Sequence, residues 1–177
     1  MTLLPLPAEK LAEYRDALAR LLIDTVEHGA SIGYVLPITL ATAYDWVDGL
    51  TASLADGSRR LWLAQGDDGR LLGSVQLELA QRQNGVNRAE VQKLMVASGQ
   101  RRQGTARRLM AALEAEALTL ERGLLYLDTE AGSPAEDFYH ALGYQRLGEL
   151  PDYAYGADGV LRATAIYFKT LFRRPTR

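Results

Sequence analysis

Apolar positions recur along this chain with two different periods, and the changes between them outline its elements. Residues 2–6 are apolar enough for a short first strand. From Pro7 the period becomes helical, with Leu11, Tyr14, Leu18, Leu21, Leu22 and Val26 on one face and Gly29 as a stop. HGASIGYVLP (28–37) carries Gly29, Gly33 and Pro37 and is expected to be loop. A second helix is predicted over 39–55, ending near Asp56-Gly57. Strands follow. LWLAQ (61–65) and LLGSVQLELA (71–80) flank GDDGR, whose Asp-Gly pair favours a hairpin. QNGVNR is a second turn, and AEVQKLMV (89–96) a third long strand. Three strands joined by tight turns predict an antiparallel meander.

The helical period returns at residue 103, carried by Ala106, Leu109, Met110, Leu113, Ala117 and Leu120, and Gly123 ends it. LLYLD (124–128) is nearly continuous in apolar side chains, as expected of a strand buried on both faces. Strand, crossover helix and strand predict parallel pairing with a right-handed crossover. Another helix is predicted from Ser133, where Ser133 and Glu136 have capping-box spacing and Pro134 takes the first helical position. YQRLGELPDYAY and LRATAIYFKTL then form two long strands around ADG (157–159). The order β-α-α-β-β-β-α-β-α-β-β predicts an α+β fold with a mixed sheet of seven strands and four helices. Residues 1–172 are expected to form one domain and 173–177 a frayed basic tail.

Composition narrows the function. Hydrophobic residues make up 47% of the 177, enough for a full core. A net charge of −2 argues against a sequence-independent nucleic-acid binder, which needs a basic face. Cysteine is absent, so a thiolate nucleophile or thiolate metal site is excluded, and two histidines, His28 and His140, do not make a zinc site. MTLLPLPAEK lacks the basic region and long apolar stretch of a signal peptide, and no run of roughly 18 apolar residues occurs. A cytoplasmic protein, monomer or homodimer, without metal, membrane or nucleic-acid partners, is expected.

The candidate chemistry begins at QRRQGTA (100–106), where a strand passes into a helix. A helix N-terminus carries unpaired amides and roughly half a positive charge. Gly104 permits close backbone approach, Ala106 is small, and Arg101, Arg102, Arg107 and Arg108 add cationic donors. The loop is neither a Walker loop nor a dinucleotide fingerprint. Alone it fits a phosphate cradle or a solvated helix start equally well.

Arg101-x-x-Gly104-x-Ala106 after KLMV resembles the coenzyme A loop of the GNAT N-acetyltransferases, and SPAEDFYHALGY (133–144), with Phe138-Tyr139 and Leu142-Gly143-Tyr144, resembles a second signature of that family. NRAEVQKLMV, LYLDTEAGS and DGVLRATAIYFKTL are similar to the tabtoxin resistance proteins within it. The resemblance spans nearly the whole chain. It implies the GNAT fold: a mixed, mostly antiparallel sheet with a parallel, splayed pair of strands. It also implies an acetyl-CoA cosubstrate. Backbone amides of Arg102, Gln103, Gly104, Thr105 and Ala106 would hold the pyrophosphate, with Arg101 at the rim. The strand backbone near Met95 and Val96 would pair with the pantetheine arm.

Acetyl transfer needs a neutral amine, and an alkyl ammonium with a pKa of about 10.4 is rarely neutral at pH 7. A base must take its proton, directly or through water. Two carboxylates qualify. Glu90 matches the catalytic glutamate of the family's histone-acetylating branch, and Asp128 ends the strand beyond the loop. Each has an ordinary alternative, a solvated strand face for Glu90 and a turn cap for Asp128. Tyr139 matches the family's general-acid tyrosine and would protonate the leaving thiolate; otherwise it is a packed tyrosine. A strand amide would polarise the thioester carbonyl. Without cysteine, direct transfer in a ternary complex is favoured. His140 follows Tyr139 on the helix and points elsewhere.

On the acceptor side the loop at 28–37 and the strand near 151–155 supply Ser31, Tyr34, Tyr153 and Tyr155. A small primary amine is expected, possible acceptors including an amino-acid-like toxin or antibiotic. Peptide or protein N-termini are the alternative. A non-catalytic acetyl-CoA-binding module or a phosphate-only loop in another fold would share QRRQGTA without needing Tyr139 or the carboxylates.

Overall fold

The structure, a computed structural model, describes residues 1–173. Strand β1 (Thr2–Pro5) leads through a short 3-10 turn into helix α1 (Leu11–Glu27). Helices α2 (Leu40–Asp48) and α3 (Thr51–Ala55) precede strands β2 (Arg59–Gln65), β3 (Leu71–Leu79) and β4 (Arg88–Val96). Helix α4 (Thr105–Thr119), strand β5 (Leu124–Glu130), helix α5 (Pro134–Ala141) and strands β6 (Gln145–Tyr155) and β7 (Leu161–Thr170) complete the chain. The tail expected from residue 173 lies, beyond that residue, outside the described part.

Seven strands form one sheet in the order β1-β2-β3-β4-β5-β7-β6. Only β4 and β5 run parallel, as the crossover through α4 requires. The alternation of β2 divides the core between the two faces of the sheet. Trp62 and Ala64 join Val75, Leu77 and the α4 residues Leu109, Met110 and Leu113. Leu61 and Leu63 join Leu18 and Leu22 of α1, Val47 of α2 and Leu54 of α3.

Two local expectations need correction. The helix predicted over 39–55 is broken at Gly49-Leu50. The Thr51 hydroxyl donates to the Asp48 carbonyl at 2.8 Å and Ser53 Oγ to the Leu50 carbonyl at 3.1 Å, so side-chain donors bond carbonyls at the joint. The Leu50 amide bonds the Val47 carbonyl instead of continuing the α pattern, and Leu50 turns into the core. The capping box at Ser133 does not form. Pro134 takes the first helical position as expected, but Ser133 Oγ caps no amide. Glu136 instead accepts from the Gly132 amide at 2.7 Å, from Tyr167 Oη at 2.6 Å and from Arg146 Nε at 3.0 Å.

Candidate active site

The parallel pair is short. β4 and β5 pair only at Arg88, Ala89 and Glu90, opposite Leu124, Leu125 and Tyr126. Beyond these residues β4 stays with β3 and β5 with β7, so the two strands part. From Val91 onward the edge of β4 facing β5 has no strand partner among the described residues, which leaves backbone groups available to an extended ligand. A cavity of about 740 Å³ opens in the gap.

The bulge in β4 shapes this gap. Gln92 pairs with Gln76, and Met95 with Ser74, so two residues of β4, Lys93 and Leu94, oppose Val75 alone. Lys93 has a φ of 49°, a left-handed backbone in a non-glycine residue, and re-aims its side chain there. Met95 is fully buried in the core beneath α1 and α2. Neither Met95 nor Val96, both expected beside the pantetheine arm, lines the cavity, whose β4 wall runs from Glu90 to Leu94.

Downstream, the loop at 100–106 is held at both ends. Asp24, near the C-terminus of α1, accepts from the Ser98 amide and from Ser98 Oγ, each at 2.7 Å. Gly104 stands at the N-cap of α4 with a φ of 80°, and a Cβ built there would meet nothing within 4 Å. The first bond onto the helix runs from the Arg108 amide to the Gly104 carbonyl at 3.1 Å, so the amides from Gly104 to Arg107 open the helix without helical partners. Arg102 also has a positive φ, of 60°. The polar side chains of this segment point to different places. Arg101 lines the cavity. Arg102 and Arg107 are exposed. Arg108, expected to add charge at the phosphate side, is turned to the chain start and donates to the Met1 carbonyl at 3.1 Å. Thr105 is buried, with its hydroxyl 3.6 Å from Met1 Sδ.

The second signature has a clear structural cause. Gly143, with a φ of 82°, ends α5 and reverses the chain, and the amides of Leu142 and Tyr144 both donate to the Tyr139 carbonyl, at 3.0 and 3.1 Å. Tyr144 thereby packs edge-on against Tyr139, with ring centroids 5.8 Å apart, and Phe138 does so at 5.4 Å. The Tyr139 ring is fixed and buried, yet it lines the cavity. Burial, and next the charge of Asp128, push its phenol well above the ordinary range. His140 is exposed.

Glu90 and Asp128 line the same cavity. Glu90 accepts from Tyr126 Oη at 3.1 Å, while Asp128 lies 3.2 Å from Thr164 Oγ1, whose single proton has a shorter acceptor in the Thr129 carbonyl at 2.8 Å; neither carboxylate forms an ion pair with a described residue. Ser31 and Tyr153 also line the cavity. The charge of Asp128, then burial, raises the Tyr153 phenol above its ordinary value. Tyr34 does not line the cavity but stands behind Lys93, and Tyr155 is exposed on β6.

Lys93 was not foreseen as a site residue. It lines the cavity, its ammonium 5.9 Å from the centroid of the Tyr34 ring. Burial lowers its pKa, Arg59 acts in the same direction, and Asp128 and Glu90 oppose them. The available signal was a lysine within the strand AEVQKLMV, directly before its apolar end LMV. Glu130 and His28 line the cavity as well, and His28 Nδ1 lies 2.7 Å from the Asp24 carbonyl. Among the described residues no group of three or more histidine, cysteine or acidic side chains could hold a metal ion, and no helix is long and apolar enough to cross a membrane.

Residues 57–146 match the family model described as an acetyltransferase (GNAT) domain. Solved structures resemble the chain over nearly its full length. The ribosomal-protein-alanine N-acetyltransferase from Brucella melitensis is 21% identical, with a TM-score of 0.76, covering 97% of this chain and 100% of its own. The aminoglycoside 6'-acetyltransferase type Ii is 23% identical, with a TM-score of 0.72 and coverage of 99% and 100%. The yncA protein from Salmonella typhimurium, solved with its cofactor acetyl-CoA, is 15% identical, with a TM-score of 0.77 and coverage of 100% and 97%.

Proposed function

The chain belongs to the GNAT acetyltransferase family, and from that membership we propose that it moves an acetyl group from acetyl-CoA to the primary amine of a small molecule, by direct transfer in a ternary complex. One juxtaposition carries the reading. Glu90 and Asp128, neither ion-paired with a described residue, line the same cavity as the raised-pKa phenol of Tyr139.

The residues present fit the cosubstrate. The unpartnered amides from Gly104 to Arg107, with the open space at Gly104, suit a pyrophosphate. Amides of Arg102 to Ala106 would hold it, with Arg101 at the rim. The free edge of β4 near Met95 and Val96 suits the amides of the pantetheine arm. When bound, acetyl-CoA supplies an activated acyl group. A β4 amide at that edge would polarise the acyl carbonyl.

Glu90 and Asp128 then serve the acceptor. Either one draws a cationic amine into the cavity and takes its proton, directly or through water. Tyr139 stays protonated across the working range, because burial and Asp128 both oppose the phenolate. It is therefore a standing donor to the leaving sulfur. Ser31 and Tyr153 border the acceptor, with Tyr34 behind Lys93. The motif-level likeness to tabtoxin resistance proteins supports an amino-acid-like toxin or antibiotic as that acceptor.

The test is coenzyme A thiol release over a panel of small primary amines. Saturable, amine-dependent release is expected. Saturable acetyl-CoA binding with no release on any amine would leave a binding module instead.

A further inference from the structure

Lys93 has no part in the chemistry described above, yet it stands inside the reaction cavity. Its ammonium makes no hydrogen bond and no ion pair with any described residue, although Glu90 and Asp128 line the same cavity. Its position is built. The β4 bulge gives it a φ of 49° and turns its side chain into the gap between the parted strands. The Tyr34 ring backs the ammonium at 5.9 Å. Gly33 is a second neighbour: a Cβ there would come into ordinary van der Waals contact with Nζ, at 3.5 Å.

A half-buried cation without a hydrogen-bond acceptor loses solvation that the Tyr34 ring and the more distant charges of Glu90 and Asp128 restore only in part. Such a group calls for an anion brought in from outside. The carboxylates of the cavity meanwhile call for a cation, the acceptor's amine. One molecule that satisfies both poles carries an amine and a carboxylate together. Resting on the acetyltransferase reading above, we propose that Lys93 is the carboxylate-binding residue of the acceptor site, so that the acceptor is a zwitterionic amino acid rather than a simple amine. Lys93 pairs with the acceptor's carboxylate while Glu90 and Asp128 face its amine. The acceptor is thereby oriented from both ends, which is the condition for attack at a fixed carbonyl.

The experiment measures kcat/KM for thiol release with the L-amino acids, β-alanine and γ-aminobutyrate, each beside its own carboxamide, which keeps the amine and loses the anion. The wild-type protein should favour the acid over the amide of its best acceptor by about 10- to 100-fold, the range of a hydrogen bond to a charged group. Lys93→Met should bring that ratio close to one, chiefly through KM for the acid, and Lys93→Arg should restore part of it. A thermal shift by acetyl-CoA establishes that each variant is folded. Equal use of acid and amide by the wild-type protein overturns the proposal without need of any variant. An unchanged ratio in folded Lys93→Met overturns it too. Acetyl-CoA binding with no turnover of any amine would instead remove the transferase reading, and this assignment with it.

Discussion

Replacing Gly104 by alanine separates backbone strain from phosphate binding. Gly104 has a φ of 80° and a Cβ there meets nothing within 4 Å, so the substitution creates no clash inside the protein. What remains is the left-handed penalty, about 1–2 kcal/mol for an L-residue. At roughly 2–4 °C per kcal/mol for a chain of this size, Tm should fall by about 2–8 °C. Gly159, in the turn between β6 and β7, has a φ of 77° and equally open surroundings, so Gly159→Ala should lose as much. The two variants should part when ligand is added. Acetyl-CoA at 100 times its Kd stabilises the wild-type protein by about 2.7 kcal/mol, or about 5–11 °C. At Gly104 the added methyl occupies the open mouth of α4. If one charge-assisted bond is lost, Kd rises about 10- to 100-fold. At the same acetyl-CoA concentration the stabilisation then falls to about 0.4–1.4 kcal/mol. Thermal unfolding with and without acetyl-CoA reads both effects. A Gly104→Ala protein that keeps the full ligand shift would refute the assignment of this loop to the pyrophosphate.

Other substitutions bear on the chemistry. Tyr139→Phe should lower kcat by about 10²-fold or more with little change in acetyl-CoA affinity, because the ring contacts remain; stopped turnover with lost affinity would point to packing instead. Since the Tyr139 phenol is held above its ordinary value of about 10, wild-type kcat/KM should rise with pH as the amine deprotonates, with no descending limb from Tyr139 below about pH 10. Glu90→Gln or Asp128→Asn should abolish or displace the acidic limb of that profile, and if both variants keep it neither is the base. Asp128→Asn should also let Tyr153 titrate closer to its ordinary value, followed by ultraviolet absorbance, because the charge of Asp128 is the main cause of the rise. Asp24→Ala removes two bonds of 2.7 Å to Ser98 and should cost about 1.5–3 kcal/mol, read as a lower Tm.

Much of this was legible in the chain because its periods are clean. The Asp-Gly turn, the apolar runs at 61–65 and 89–96 and the apolar stripe of α4 gave the meander and the crossover, and the parallel pair followed from the order strand, helix, strand. The two signatures pointed to Gly104 and Tyr139, and both have backbone causes, a left-handed glycine at the start of α4 and another, Gly143, just past the end of α5. The break at Gly49-Leu50 was hidden because it arises from the hydroxyls of Thr51 and Ser53, which suit a helix equally well. The β4 bulge was hidden for a related reason: Lys93 and not glycine takes the positive φ, so no residue type marks it. With the bulge unseen, Lys93 could not be assigned to the cavity. Likewise, Glu136 was read as a cap partner of Ser133, whereas Tyr167 and Arg146, distant in sequence, claim its carboxylate.

The central claim is direct transfer of acetyl from acetyl-CoA to a small amine bound at the same time. Initial rates of thiol release, with acetyl-CoA varied at several fixed concentrations of the best amine, test it most directly. Double-reciprocal lines that intersect are predicted, the pattern of a ternary complex. Parallel lines would mean that acetyl first rests on the protein, and would contradict the account.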